Sequence, residues 1–229
     1  MIDNLVISSG MSILCGLDRT AIFQIMLSRP VVAAPLTGLV LGDTASGLLI
    51  GALLELLWLG RLPMGAAIPP DDTQISIAST FLAIEIGGSV STPEPALILL
   101  TILVAMPLGK VGVPLDQWAR RRNGRLCQEV LEEFSTDGFV STESAHLKGV
   151  LSFAASSILT FLIVVTGGWA ILNSLQTMIL PLLREVDYLV FMVFPLVGMS
   201  HLLANLNVNR TLTLFGSSFL MSYLLLWLV

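Results

Sequence analysis

Apolar residues occur in eight segments along the chain, separated by short polar stretches. They cover 5–17, 30–42, 45–60, 73–89, 95–109, 149–172, 187–206 and 211–229. A helix that spans a bilayer needs about 20 mostly apolar residues, so some of these segments are long enough to span and others are short. The pattern predicts an all-α polytopic membrane protein with about 6–9 transmembrane or re-entrant helical segments.

Composition supports a membrane protein. The 229 residues are 55% hydrophobic and only 12% charged, and the mean hydropathy is +0.88. Soluble domains contain about 45–50% apolar and about 25% charged residues. So few charges would not cover the surface of a soluble protein, so we expect the chain to lie in a lipid bilayer. We expect no nucleic acid as a partner. The N-terminus lacks a basic region and a cleavage site, so we expect no removable signal peptide.

Segments 30–42 and 45–60 are short and are joined by Gly42-Asp43-Thr44, a turn sequence. Each contains a GxxxG spacing, which lets helix backbones approach closely. Small residues are also common in membrane helices in general. The sharper interpretation is a tightly packed hairpin, either re-entrant or spanning.

The stretch 110–148 differs in kind from the rest of the chain. It carries six of the eleven basic residues: Lys110, Arg120, Arg121, Arg122, Arg125 and Lys148. The positive-inside rule places this loop in the cytoplasm. It divides the chain into an N-terminal membrane part with the hairpin (1–109), the charged loop (110–148) and C-terminal membrane helices (149–229).

Within this loop, residues 115–134 have the pattern of one or two amphipathic helices, interrupted at Gly124. Their apolar side chains could face the bilayer surface or a partner. The plainer alternative is a solvated loop. These apolar side chains are Trp118, Leu126, Val130 and Phe134.

Glu55 lies between two leucines in a strongly apolar run. A charged side chain at the centre of a membrane helix costs about 3 kcal/mol on insertion scales, so an intramembrane carboxylate predicts a functional site. The alternative is a structural ion pair with Arg61 or Arg29.

Asp71 and Asp72 follow two prolines at the start of the segment 73–89. Either carboxylate could cap the helix. The functional interpretation is that one caps while the other faces a cavity. Transporters bind polar substrates at such interrupted helices, and carboxylates and free backbone groups pair well with sugar hydroxyls.

The other polar groups favour structural roles. Asp18 and Arg19 are typical of a helix end with a neighbouring salt bridge, and Asp43 of a turn. His201, on an apolar segment, is interpreted as packed and hydrogen-bonded. Asn205 begins an alternating run of asparagines that predicts an unwound or terminal stretch, which could line a cavity.

Motifs for soluble chemistry are missing from the sequence. There is no P-loop, dinucleotide-binding fingerprint, zinc-protease motif or metal-spaced Cys/His set. We therefore expect no metal and no cofactor.

The stretch RPVVAAPLTGLVLGDTASGLLIGALLELLWLGRLPMGAAIPPDD resembles the signature region of the mannose/fructose/sorbose-type phosphotransferase-system (PTS) permeases, membrane component IIC. The resemblance covers roughly the first ninety residues. Each short motif is weak alone, and the resemblance is specific because the motifs occur together in the same order. The matching elements are Arg29-Pro30, Leu41-Gly42-Asp43, Leu54-Glu55, Leu59-Gly60 and Gly65-Ala66-Ala67 to Pro70-Asp71.

This resemblance implies a subunit that works with a second membrane subunit, IID, as a trimer of IIC–IID pairs in the bacterial cytoplasmic (inner) membrane. Together they would carry a hexose-type sugar inward, coupled to its phosphorylation through the soluble IIA and IIB proteins. The phosphoryl donor would be a histidine of IIB. The chain would therefore belong to a phosphotransferase complex without carrying the phosphoryl group itself.

The resemblance also implies the substrate site. Glu55 and Asp71 would contact sugar hydroxyls, with orientation as the simpler role and general base catalysis as the alternative. Backbone groups would come from Gly65, Ala66 and Ala67. The full candidate set is Glu55, Gly65, Ala66, Ala67, Asp71, Asp72 and Asn205.

Two other function classes fit the residues. One is a stand-alone ion-coupled secondary transporter that uses Glu55 and Asp71 for coupling. Such a transporter is expected to have inverted halves, and the second half of this sequence has no clear counterpart to 29–72. The other is a non-transporting membrane scaffold that docks a protein on 115–134.

Overall fold

The computed structural model describes residues 1–60, 68–88, 94–137, 142–205 and 210–228, and all regular elements in these ranges are helical. The nine α-helices in these ranges are α1 (Ile2–Thr20), α2 (Pro30–Leu41), α3 (Thr44–Trp58), α4 (Asp72–Gly87), α5 (Pro95–Leu108), α6 (Gly112–Asp137), α7 (Thr142–Arg184), α8 (Val190–Asn205) and α9 (Thr211–Leu228). Short 3₁₀ turns, Gly109–Val111 and Asp187–Leu189, precede α6 and α8. The predicted all-α class is confirmed for these ranges.

Within the described part of the chain, two helical stretches are long and apolar enough to cross a membrane. They are Pro95–Thr136, which joins α5 to α6, and Thr142–Arg184, which is α7. Four shorter apolar helices accompany them: Pro30–Leu41, Thr44–Trp58, Met192–Leu202 and Leu212–Leu225. The total of 6–9 crossing or re-entrant segments stays a prediction.

Helices α2 and α3 form the predicted hairpin. Gly42 ends α2 in the left-handed conformation with φ of 88°, where glycine carries no Cβ penalty. Asp43 then caps α3 by accepting the Ser46 N–H at 3.1 Å. A methyl group on Gly38 would lie 3.1 Å from the Cα of Gly47, so the two backbones are in direct contact. Helices of 12 and 15 residues are about 18 and 22 Å long, shorter than the hydrocarbon core of about 30 Å.

Helix α4 lies at the centre of the fold and packs against α1, α2, α3, α5 and α7. Its Phe81 ring meets Phe161 of α7 edge to face, with 6.2 Å between ring centroids. A polar contact joins α4 to α1. Ser12 Oγ donates to Gln74 Oε1 at 2.7 Å, and Gln74 Nε2 donates to the Ser12 carbonyl at 3.1 Å. Both side chains are fully buried, so this pair fixes α1 against α4.

Of the one or two amphipathic helices predicted for 115–134, the structure has one, because α6 continues through Gly124 as a single helix of 26 residues. Helix α7 is also longer than the predicted segment 149–172 and begins at Thr142. The two helices pack against each other, and Asn123 Nδ2 donates to the Gly149 carbonyl at 3.2 Å. Such packing offsets the cost of a glycine in a helix, which is about 1 kcal/mol. The three-part division at 110 and 149 stays a prediction.

Candidate functional site

Glu55 forms an ion pair with Arg29. Arg29 precedes α2, and its Nη2 lies 2.6 Å from Oε1 of Glu55 on α3. The second carboxylate oxygen of Glu55 accepts the N–H of Val31 at 3.3 Å. Of the two partners considered for this carboxylate, the structure identifies Arg29, and Arg61 lies outside the described residues. This pairing offsets the cost of placing a carboxylate in an apolar helix.

Asp71 is both a helix cap and an ion-pair partner. Its Oδ1 accepts the Gln74 N–H at 3.1 Å, which caps α4. The same carboxylate lies 2.5 Å from Nη1 of Arg19, at the end of α1. Asp72 is further from this guanidinium, at 3.7 Å, and its side chain is 29% exposed against 14% for Asp71.

The predicted salt bridge between Asp18 and Arg19 is wrong, because consecutive residues of a helix do not face each other. Asp18 is almost fully buried. Its carboxylate accepts the N–H groups of Ile25 at 2.8 Å and Ser28 at 3.0 Å. Asp18 therefore shapes the connection from α1 to α2, while Arg19 is left to pair with Asp71.

One further hydrogen bond connects the two ion pairs. Thr73 Oγ1, in the first turn of α4, donates to the carbonyl of Ser28 at 2.7 Å. Ser28 immediately precedes Arg29, and Thr73 lies two residues after Asp71. The Arg29–Glu55 and Arg19–Asp71 pairs are therefore held together at the N-terminal ends of α2 and α4. We call these four side chains the arginine–carboxylate cluster.

Sequence reasoning identified the two carboxylates of this cluster and missed the pairing of Asp71 with Arg19. The available signal was the placement of the two arginines beside apolar segments, Arg19 just after 5–17 and Arg29 just before 30–42. It does not specify which arginine meets which carboxylate, because that depends on how α1, α3 and α4 pack.

The cluster suits recognition of a neutral polyhydroxylated molecule. Ionised carboxylates accept hydrogen bonds from hydroxyl groups, and guanidinium groups donate them. Ion pairing also keeps the net charge of the four side chains near zero. Among the described residues, no three His, Cys, Asp or Glu side chains come together in a way that could hold a metal ion.

For four other predicted site residues, the described part of the structure does not give the position, relative to the cluster, of the groups expected to bind sugar. Gly65, Ala66 and Ala67 lie outside the described residues. Asn205 ends α8, and its side chain lies outside the described part. His201, interpreted from the sequence as packed, lies against Gly60, where an added methyl group would meet its ring.

The chain matches the family described as "PTS system sorbose-specific IIC component" over residues 5–228. It is 39% identical over 88 residues to the PTS system mannose-specific EIIC component of Escherichia coli (strain K12), covering 35% of this chain and 33% of that protein. It is 36% identical over 92 residues to the PTS system sorbose-specific EIIC component of Klebsiella pneumoniae, covering 40% and 32%. The matched part therefore spans about a third of the length of these relatives.

Two solved structures share the fold. One, described as "Structure of membrane protein", has a TM-score of 0.69 at 24% identity over 97% of this chain and 87% of the other. The second is a complex of the mannose transporter ManYZ and microcin E492, with a TM-score of 0.60 at 23% identity and the same coverage. With the family match over nearly the whole chain, the conclusion is plain: this chain belongs to the family of PTS sorbose-specific IIC components.

Proposed function

We propose that this chain is the IIC membrane subunit of a PTS sugar permease. With a IID subunit it carries a hexose-type sugar inward, and the sugar is phosphorylated by IIB. The observation that carries the proposal is the arginine–carboxylate cluster, in which Arg29, Glu55 and Asp71 lie within the family's signature region. Its two carboxylates can accept hydrogen bonds from hydroxyl groups.

Each carboxylate of the cluster has a defined task. Glu55 and Asp71 accept hydrogen bonds from sugar hydroxyls, while Arg29 and Arg19 fix the orientation of the two carboxylates. Asp72 lies at the more exposed edge. Backbone groups of 65–67 and the side chain of Asn205 complete the site. A buried polar site of this kind rejects molecules that leave its groups unpaired.

In phosphoryl transfer, this chain acts by positioning. The phosphoryl group comes from a histidine of IIB, and transfer to a hydroxyl depends mainly on alignment and charge stabilisation. Glu55 or Asp71 orients the attacking hydroxyl. The same carboxylate can also accept the proton of that hydroxyl, as a general base does. The charged sugar phosphate does not cross back, so chemistry makes uptake one-way.

The proposed placement is the bacterial inner membrane, as a trimer of IIC–IID pairs. Residues 110–148 lie on the cytoplasmic side, where their basic residues satisfy the positive-inside rule. The end of α1 and the start of α4 face the same side. An added methyl on Gly112, at the start of α6, would lie 2.7 Å from Cβ of Asp71. The cluster is therefore close to the face that IIB approaches.

The test uses inverted vesicles that contain this chain and IID. IIA, IIB, the general PTS proteins and labelled phosphoenolpyruvate are added with a panel of hexoses and hexosamines. Label in a sugar phosphate, only when this chain is present, is the expected result. Uptake of unmodified sugar down a proton gradient would instead establish the ion-coupled transporter. Folded protein with neither activity would favour the scaffold.

A further inference from the structure

Helix α6 carries a basic groove that the sugar site does not use. A cavity of about 580 Å³ opens along one side of its first half. Three arginines line it against a single carboxylate, together with an aromatic ring and an amide: Arg121, Arg122, Arg125, Glu129, Trp118 and Gln117. The cavity is open to its surroundings and positively charged.

Two of the three guanidinium groups of this groove point back along α6 toward α5. Arg121 Nη2 donates to Gln117 Oε1 at 3.3 Å, and the Arg122 guanidinium lies 5.7 Å from the centroid of the Trp118 ring. Both partners are four residues earlier in the helix. This is the direction in which helical side chains lean. The charges of Arg121 and Arg122 therefore lie nearer to the apolar helix α5 than their Cα atoms do.

Helix length places this groove at the membrane surface. Counting about 20 residues from Pro95, the start of α5, an apolar helix crosses the hydrocarbon core near residue 114. Trp118 follows about 6 Å further along the axis. Tryptophan is enriched at this depth, and the Arg122 guanidinium shares the level of the Trp118 ring.

Arg120 on the same helix shows the contrast. It pairs with Asp116 at 2.6 Å, and its guanidinium lies 6.0 Å from the ring centroid of Phe153 on α7. Arg120 therefore has its charge matched within the hairpin of α6 and α7. The groove arginines lie among an amide, a tryptophan ring and one carboxylate.

We propose that this groove binds the headgroup phosphate of an anionic phospholipid. Guanidinium groups bind phosphate oxygens in bidentate geometry, and basic clusters next to a membrane span attract anionic lipids. Three arginines and one glutamate give the groove a net positive charge, which favours a headgroup with a net negative charge. A zwitterionic headgroup has no net charge and is therefore bound less well. The inference rests on the membrane placement in the proposed function, and it is independent of sugar transport.

The test is native mass spectrometry of the purified full chain in detergent, with phosphatidylglycerol and phosphatidylcholine at equal concentrations. Wild type is expected to retain phosphatidylglycerol about five-fold more than phosphatidylcholine, and R121Q/R122Q/R125Q to lose this preference. The matched control, K148Q/R184Q/R210Q, removes three positive charges outside the groove and is expected to keep it. R121K/R122K/R125K keeps the charge and is expected to retain a preference even if the glutamine variant folds poorly.

Four outcomes would overturn the proposal. They are an unchanged preference in folded R121Q/R122Q/R125Q, an equal loss in the control, a complete loss in the lysine variant, and displacement of the lipid by an excess of inorganic phosphate. Normal lipid binding by the glutamine variant, with loss of IIB-dependent sugar phosphorylation, would assign the groove to a protein partner instead. The lipid measurement needs neither sugar nor IID, so its failure is distinct from failure of the transport assay.

Discussion

The Arg29 guanidinium lies 2.6 Å from the Glu55 carboxylate at the open end of the α2–α3 hairpin. The other end of the hairpin is closed by the turn at Gly42 and Asp43. The hairpin is therefore fastened at both ends, by an ion pair and by a glycine turn. Because Glu55 is also the candidate sugar ligand, pairing and binding have to be separated by experiment.

Replacing Glu55 by Gln is expected to lower sugar phosphorylation by about 10- to 100-fold, because hydrogen bonds to a charged group contribute about 1.5–3 kcal/mol. The measurement is labelled sugar phosphate formed in vesicles with IID and the soluble PTS proteins. The double variant R29Q/E55Q removes both partners of the ion pair. If Glu55 binds sugar, the double variant stays as defective as E55Q. Recovery of activity in the double variant would reduce Glu55 to a structural residue.

Replacing Asp71 by Asn is expected to preserve the α4 cap, since asparagine is as good a cap as aspartate. Replacing it by Ala removes the cap as well, so D71A is expected to be about 1 kcal/mol less stable than D71N. Chemical unfolding in detergent measures this difference. Both variants lose the ion pair with Arg19, and both are expected to lose sugar phosphorylation. Wild-type activity in D71N would remove Asp71 from the sugar site.

Replacing Gly47 by Ala is expected to separate α2 from α3. The added methyl would clash with the Ala34 carbonyl and lie 3.0 Å from Cα of Pro35, and backbone atoms cannot move aside cheaply. We expect a loss of about 1–3 kcal/mol in the free energy of unfolding. Gly124 provides the matched control, because nothing lies within 4 Å of its added methyl. G124A is expected to be more stable by about 0.5–1 kcal/mol, since alanine favours a helix over glycine.

Replacing Gln74 by Leu is expected to weaken the packing of α1 on α4. The change keeps the side-chain volume roughly constant and removes both hydrogen bonds to Ser12. Hydrogen bonds between membrane helices contribute about 0.6–2 kcal/mol, and that is the expected loss in unfolding free energy. In Q74L the Ser12 hydroxyl still has the Ser157 carbonyl as an acceptor, at 3.3 Å, so S12A/Q74L is expected to be no more stable than Q74L. A Q74L variant as stable as wild type would contradict this role.

The contact between Glu94 and Arg184, at the ends of α5 and α7, is expected to depend on pH. Two hydrogen bonds, at 2.7 and 3.0 Å, join the two side chains. The hydrogen bonds from Arg184 lower the pKa of Glu94 below its ordinary value. The stability from this contact is therefore present above the unfolded pKa of glutamate, about 4.3, and is lost as pH falls through the lower folded value.

The measurement for this contact compares melting temperatures of wild type and E94Q across pH. The difference is expected to be small, because exposed ion pairs contribute little. It should be present at pH 7 and vanish in acid. A difference that persists unchanged below the pKa of the folded carboxylate would contradict the assignment.

Most helices of this fold could be predicted from apolar periodicity and turn residues. Pro30, Gly42 and Asp43 fixed the bounds of α2 and α3 through local backbone chemistry. For 115–134 the sequence left one or two helices open, because a continuous path of α6 through Gly124 depends on packing against α7. The local sequence shows that a glycine lowers the stability of the helix. It does not show which other helix packs against it and offsets this loss.

The candidate site was predictable in part for the same reason. Glu55 and Asp71 could be identified as carboxylates in or beside apolar segments. Removing such a carboxylate from water costs free energy, which indicates a functional or a paired group. Their partners Arg29 and Arg19 are brought to them by the packing of different helices. The Thr73 hydrogen bond to Ser28 has no sequence signal, because a hydroxyl at a helix start has many possible acceptors.

Helix α7 is a single element of 43 residues, about 64 Å long. A residue near its middle, Thr160, lies next to Gly112, where an added methyl would be 3.1 Å from Thr160 Cγ2 and 2.7 Å from Asp71 Cβ. A tilt of about five degrees about the Arg184 end would displace the Thr142 end by about 5 to 6 Å, from the helix length alone. The same tilt would move Thr160, about 36 Å from the Arg184 end, by about 3 Å, so a shift beside the arginine–carboxylate cluster is nearly doubled at the Thr142 end of α7.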